Sequence, residues 1–219
     1  MPPPRTSVTE DRPRRADAQR NRRRVLEAAE AVFSRAGNGA TIEDVAKEAG
    51  VGVGTVCRHF PTKQALLDEV LNESYRELIV ALDAAIGAEE AAAAFDWYVH
   101  QLASFQARRR ALAEQMASEL VMTIDDNLKQ EVREKTDELV KRAQAAGALR
   151  DDISSADTSM LFAGIAQITA IVGGDRAVRD RYVAVILDGL RPSAANPLPG
   201  RPLRYGDLDA LKRRLDGSR

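Results

Sequence analysis

TIEDVAKEAGVGVGTVCRHFPTK, residues 41–63, is the stretch that decides the fold. Thr41 is placed to cap the free amides of a helix, with Asp44 three residues on at the capping-box spacing. Ile42, Val45, Ala46 and Ala49 then recur three or four residues apart and make one apolar face. Gly50 follows the last apolar position, where a left-handed residue ends a helix without a Cβ penalty. Val51 and Val53 flank Gly52, and a second short helix is expected over about 54–60, stopped by Pro61. Helix, tight turn and helix in these proportions make a DNA-binding helix-turn-helix. The second helix turns Thr55, Arg58 and His59 outward, three side chains that can meet base edges or phosphates.

On the N-terminal side, a helix is expected over 17–36, with Leu26, Ala29, Val32, Phe33 and Ala36 as its core stripe. Residues 1–15, MPPPRTSVTEDRPRR, have little to bury and read as a disordered basic arm. Domain boundaries are therefore placed at 1–15, 16–63 for the helix-turn-helix domain, 64–191 and 192–219. The net charge of −1 hides an asymmetry: residues 1–63 carry 12 basic against 8 acidic side chains, and 64–219 carry 20 against 25. A basic module on an acidic body suits a protein that sets one end against phosphates. Arg12, Arg14, Arg15, Arg20, Arg22, Arg23 and Arg24 hold much of that charge. They read either as a solvated tail or as an arm that follows the DNA backbone into the minor groove.

Toward the C-terminus, Thr62 caps a long helix running to about residue 86, with Lys63 in its first turn. At a helix N-terminus, where anions are favoured, Lys63 reads as a phosphate clamp or as a surface lysine. Helices are expected over 89–107, 109–122, 124–146, 155–173 and 176–190, so the fold is all-α: a three-helix DNA-binding domain joined by a long helix to a helical bundle. The 155–173 helix is apolar almost all round, which one bundle contact alone does not require. Its Leu161, Ile165 and Ile168, with Tyr182, Ile186 and Leu190 of the last helix, are the expected interface of a homodimer. After Pro192 the chain becomes proline-rich, and 206–217 can form a turn or two of amphipathic helix, packed or mobile.

Several classes are excluded. The longest apolar run, 160–172, is too short to span a bilayer and is broken by Gln167 and Thr169, so no membrane partner is expected. The N-terminus lacks the apolar core of a signal peptide, which points to the cytoplasm. One cysteine excludes an internal disulfide framework and a multi-thiolate zinc site. His59 and His100 make no metal-ligand spacing, and no nucleophile elbow or phosphate loop occurs. Gly50, Gly52 and Gly54 follow a helix, not a strand, so the dinucleotide fingerprint fails on context. Asp125-Asp126 reads as a charge pair at a helix entry. No enzyme activity, cofactor or metal is expected.

Residues 23–67 resemble the DNA-binding domain of the TetR family of transcriptional regulators. The matching pieces are VLEAAEAVF at 25–33, Gly37, TIEDVAKEAGV at 41–51 and GTVCRHFPTKQALL at 54–67. The resemblance implies a homodimer whose two heads meet a palindromic double-stranded DNA operator, with Thr41, Gly54, Thr55, Arg58, His59 and Lys63 at the DNA. It further implies a repressor whose C-terminal bundle encloses a small-molecule effector of unknown identity. Candidate lining residues are Trp97, Phe105, Met116, Leu120, Met122, Phe162 and Gln167. The chain departs from the family pattern at Cys57, where a tyrosine that touches the DNA backbone is usual, and at Gly52, where serine is frequent. Cys57 reads as a small residue filling the tyrosine's place or as an oxidant-sensing thiol. A DNA-binding structural or adaptor protein, using the same head without an effector, is the alternative reading.

Overall fold

The computed structural model describes residues 11–115, 123–171, 175–192 and 196–216. Every long element among them is an α-helix: α1 Asp11–Ala36, α2 Ile42–Ala49, α3 Val53–His59, α4 Lys63–Gly87, α5 Ala91–Gln115, α6 Asp126–Ala145, α7 Ser155–Ile171, α8 Arg176–Gly189 and α9 Tyr205–Asp216. The chain divides into two compact units, one made of Met1–Leu71 with Leu112–Thr123 and the other of Asn72–Ala111 with Ile124–Arg219, so that the first crossing between them falls inside α4. That boundary lies eight residues beyond the expected one. Leu66, Leu67, Val70 and Leu71 on the first turns of α4 are all buried and belong to the first unit.

In the first unit, Val25, Leu26, Ala29, Val32 and Phe33 of α1 are buried at helical spacing. They share a core with Val45 of α2, Val56 of α3, and Leu66 and Leu67 of α4. α1 begins six residues earlier than expected, so 11–15 are helical rather than disordered. The physical reason lies in the residues: Arg12, Arg14 and Arg15 are good helix formers, and Pro13 falls in the first turn, where its missing N–H costs nothing. Arg20, Arg22, Arg23 and Arg24 accordingly ride on a helix. The two helices expected over 89–107 and 109–122 are one helix as far as Gln115. ARRRALAEQ contains strong helix formers and no breaker.

The second unit has its own core, built from Leu78 and Leu82 of α4, Phe95, Tyr98 and Leu102 of α5, Leu139 and Val140 of α6, Phe162 of α7, and Val183 and Leu187 of α8. Asp125 caps α6 through Asn127 N at 2.8 Å, and Asp126 pairs with Lys129 at 2.8 Å, so this doublet is indeed a helix-entry pair. The tail is packed. Asp209 of α9 takes a bidentate salt bridge from Arg133 of α6 at 2.8 and 3.0 Å, and the Arg133 guanidinium lies 4.9 Å from the Tyr205 ring centroid.

Candidate nucleic-acid interface

Helix α2 is capped by local hydrogen bonds at both ends. Thr41 Oγ1 accepts from Asp44 N at 3.1 Å, and Asp44 Oδ2 accepts from Thr41 N at 3.0 Å, which completes the capping box. The Thr41 hydroxyl also donates to Asp44 at 2.7 Å, and these bonds hold the Asp44 carboxyl below its ordinary pKa. At the other end of α2, Gly50 adopts φ +65°, and its N–H reaches the carbonyls of Ala46 and Lys47. The Ala49 carbonyl accepts from Arg24 Nη2 of α1 at 2.6 Å. A left-handed glycine and an arginine together satisfy the Ala46, Lys47 and Ala49 carbonyls of this helix end.

α3 follows after Gly52. Its Val56 is buried, while Gly54, Cys57 and Arg58 are exposed and Thr55 and His59 half-buried. Gly54, Thr55 and Arg58 fall on one side of the helix at i, i+1 and i+4 spacing, opposite the buried Val56. A glycine at the first of these positions lets the helix approach another surface closely. Cys57 is exposed on the same helix. Thr62 Oγ1 accepts from Ala65 N at 3.0 Å and so caps α4. Lys63, the first residue of α4, lies half-buried with its ammonium 5.9 Å from the Phe33 ring centroid.

Of the six expected DNA contacts, Gly54, Thr55, Arg58 and His59 therefore stand together on α3, Lys63 opens the next helix and Thr41 opens the preceding one. Two arginines do work that the sequence reading assigned to an arm. Arg22 pairs with Glu69 of α4 and lies 5.6 Å from the Phe60 ring centroid, and Arg24 caps α2. Both positions sit one turn from the buried stripe of α1, which is the signal that marks them in retrospect.

The other expected sites fall differently. Phe105 is buried edge-on against Tyr75 at 5.2 Å, and Phe162 is buried in the bundle core. Trp97 is 44% exposed on α5. Thus the three aromatic pocket candidates are two core residues and one surface residue. Met116, Leu120 and Met122, and the side chains of Gln167, Ile165 and Ile168, lie outside the described residues. Of the interface candidates, Leu161 and Tyr182 are exposed, Ile186 is partly buried against the core, and Leu190 belongs to the chain's own core at 5% exposure. Val185, missed in the sequence reading, is 60% exposed one turn from Tyr182. Its strictly i, i+3 relation to Tyr182 was available as a signal.

Among the described residues no cluster of metal-ligating side chains occurs, and no helix is long and apolar enough to cross a membrane. Residues 25–70 match the N-terminal domain of bacterial regulatory proteins of the tetR family, and residues 90–192 match the C-terminal domain of SbtR-like transcriptional regulators. A TetR transcription regulatory protein of Mycobacterium vanbaalenii is 32% identical, with 81% of this chain and 98% of that one covered and a TM-score of 0.65. A TetR transcriptional regulator of Streptomyces coelicolor is 30% identical over 78% of this chain and 98% of that one, also with a TM-score of 0.65. The fatty acid degradation regulator of Bacillus halodurans, 19% identical over 77% of this chain and 99% of that one, shares the fold with a TM-score of 0.54. Comparison with curated protein sequences gives no match.

Proposed function

The chain belongs to the TetR family of transcriptional regulators, and from that premise we propose that it is a cytoplasmic repressor that grips a palindromic operator as a homodimer and leaves it when a small molecule binds. The observation that carries this reading is the edge of α3 formed by exposed Gly54 and Arg58 with half-buried Thr55, presented on a head whose helix α2 is capped at both ends. Arg58 reads a base edge in the major groove, a guanine through O6 and N7, because its planar fork matches that acceptor pair. Thr55 meets a thymine methyl or a phosphate. His59 and Lys63 set the head on the backbone. Thr41 reaches a phosphate only by giving up its bond to Asp44.

Dimerisation is assigned to the face of α7 and α8 that carries Leu161, Tyr182 and Val185, apolar side chains left exposed by a single chain. Two-fold symmetry then places the heads on half-sites about 34–36 Å apart. By linkage, a ligand that weakens DNA binding binds more weakly to the DNA complex by the same factor. The test is Arg58→Ala in a binding assay against a selected operator and its single-base variants. Specific affinity should fall by about 1–3 kcal/mol and discrimination should relax at one position per half-site. Unchanged sequence preference removes Arg58 from base readout.

A further inference from the structure

Residues 198–203 face α7 and α8 across a cavity of about 730 Å³. Met160 and Leu161 of α7 and Ile186 of α8 line it on one side, and Leu198, Pro199 and Leu203 on the other. The proline-rich strap that forms this second wall lies beyond both family-matched segments, 25–70 and 90–192. It is clipped down at each end. Asp152 accepts from Leu198 N at 3.1 Å, Arg150 donates to Asn196 O at 2.7 Å, and Asp157 accepts from Leu203 N at 3.2 Å. Backbone polar groups are thus used as clips, and the leucines and prolines are left to wall the cavity.

Glycines line it. A Cβ built on Gly164 or Gly189, both in the lining, would meet nothing within 4 Å. The volume falls in the range of about 300–1,000 Å³ usual for small-molecule sites. Its ionic groups are already satisfied: Arg150 binds Asp152, Asp157 also accepts from Ser154, and Arg201 binds Asp207. No unmet charge is aimed at an occupant, whereas Met160 and Leu198 stand about half exposed around the space. An ionic ligand would lose its hydration there without gaining a partner. An apolar one would cover exposed hydrocarbon.

We propose that the cavity between the 196–204 strap and helices α7 and α8 binds an uncharged, mainly apolar small molecule. This rests on the ligand-responsive reading above and gives that ligand a place and a chemical class. Leu161 belongs both to this cavity and to the face assigned to dimerisation, so an occupant touches the interface that spaces the two heads.

The test is titration of the full chain, without DNA, with the neutral fluorophore N-phenyl-1-naphthylamine. The wild type should bind one probe per chain, with enhanced and blue-shifted emission. Gly164→Leu fills the cavity from α7, and Leu198→Asp puts a carboxylate into the strap wall. Each should weaken the probe at least about tenfold, while Val80→Ala, at an exposed position of α4 outside the lining of the cavity, leaves it unchanged. Circular dichroism melts of each variant check folding; should Gly164→Leu unfold, Leu198→Asp, at an exposed side chain, carries the test alone. Equal affinity in wild type and both cavity variants overturns the proposal. So does expulsion of the probe as sedimentation shows the dimer forming, because a second copy then fills the cavity. Because no DNA is present, failure here leaves the operator-binding reading standing.

Discussion

Replacing Gly50 by alanine tests whether the turn of the head is built as described. The residue stands at φ +65°, with its N–H bonded to the Ala46 and Lys47 carbonyls, so it cannot leave the left-handed region without breaking the end of α2. Alanine there costs about 1–2 kcal/mol from the clash of Cβ with the following carbonyl. The stiffer unfolded chain offsets part of this, about 0.4–1 kcal/mol. A second effect works against the offset. The new Cβ would sit 3.3 Å from Arg24 Nη2, the group that caps Ala49, so that guanidinium must give by a few tenths of an ångström, which disturbs its 2.6 Å bond. The net expectation is a loss of about 1–2 kcal/mol. Urea unfolding followed by circular dichroism reads it as a lower midpoint with an unchanged slope. Gly50→Asn, which tolerates the left-handed region, should lose less. A Gly50→Ala midpoint equal to the wild type, with asparagine no better than alanine, would refute both the conformational argument and the role of Arg24.

Two further outcomes are expected. Lys63→Ala should weaken binding to all DNA sequences about equally and reduce the slope of log affinity against log salt by about 1, measured by fluorescence anisotropy at several salt concentrations; a loss confined to the specific operator would contradict the phosphate role. The strap should stay docked in mild acid. Hydrogen bonds from Arg150 and from Leu198 N lower the Asp152 carboxyl to about 2. A depressed folded pKa contributes stability that is present above the ordinary carboxylate range and lost as pH falls toward 2. The Leu198 amide resonance should therefore titrate with a midpoint near 2, and a midpoint near 4 would contradict the clip.

The head was legible because its determinants are local. A capping box spans three residues, a left-handed glycine is one residue, and the apolar face repeats within two turns. Arg22 and Arg24 were harder to place, because a run of arginines looks the same whether its members reach DNA or cap and pair within the domain. The start of α1 was hidden by charge, and the continuity of α5 through Gln115 by the triple arginine, which suggested a break where the chain holds only helix formers. The docking of the tail rests on pairs 46 and 76 residues apart, Asp152 with Leu198 and Arg133 with Asp209. No short-range pattern encodes such pairings. Phe105, Phe162 and Trp97 show the same limit from another side: aromatic residues at helical spacing take their places in core or surface only once the neighbouring helices are in position.

Selection of bound sequences from random double-stranded DNA, with the full-length chain, addresses the central claim most directly. Enrichment of an inverted repeat with half-site centres about 10 base pairs or a small multiple of that apart, carrying a guanine whose preference disappears with Arg58→Ala, is the expected result. Recovery of sequences with no common motif, at an affinity that follows salt alone, would contradict it.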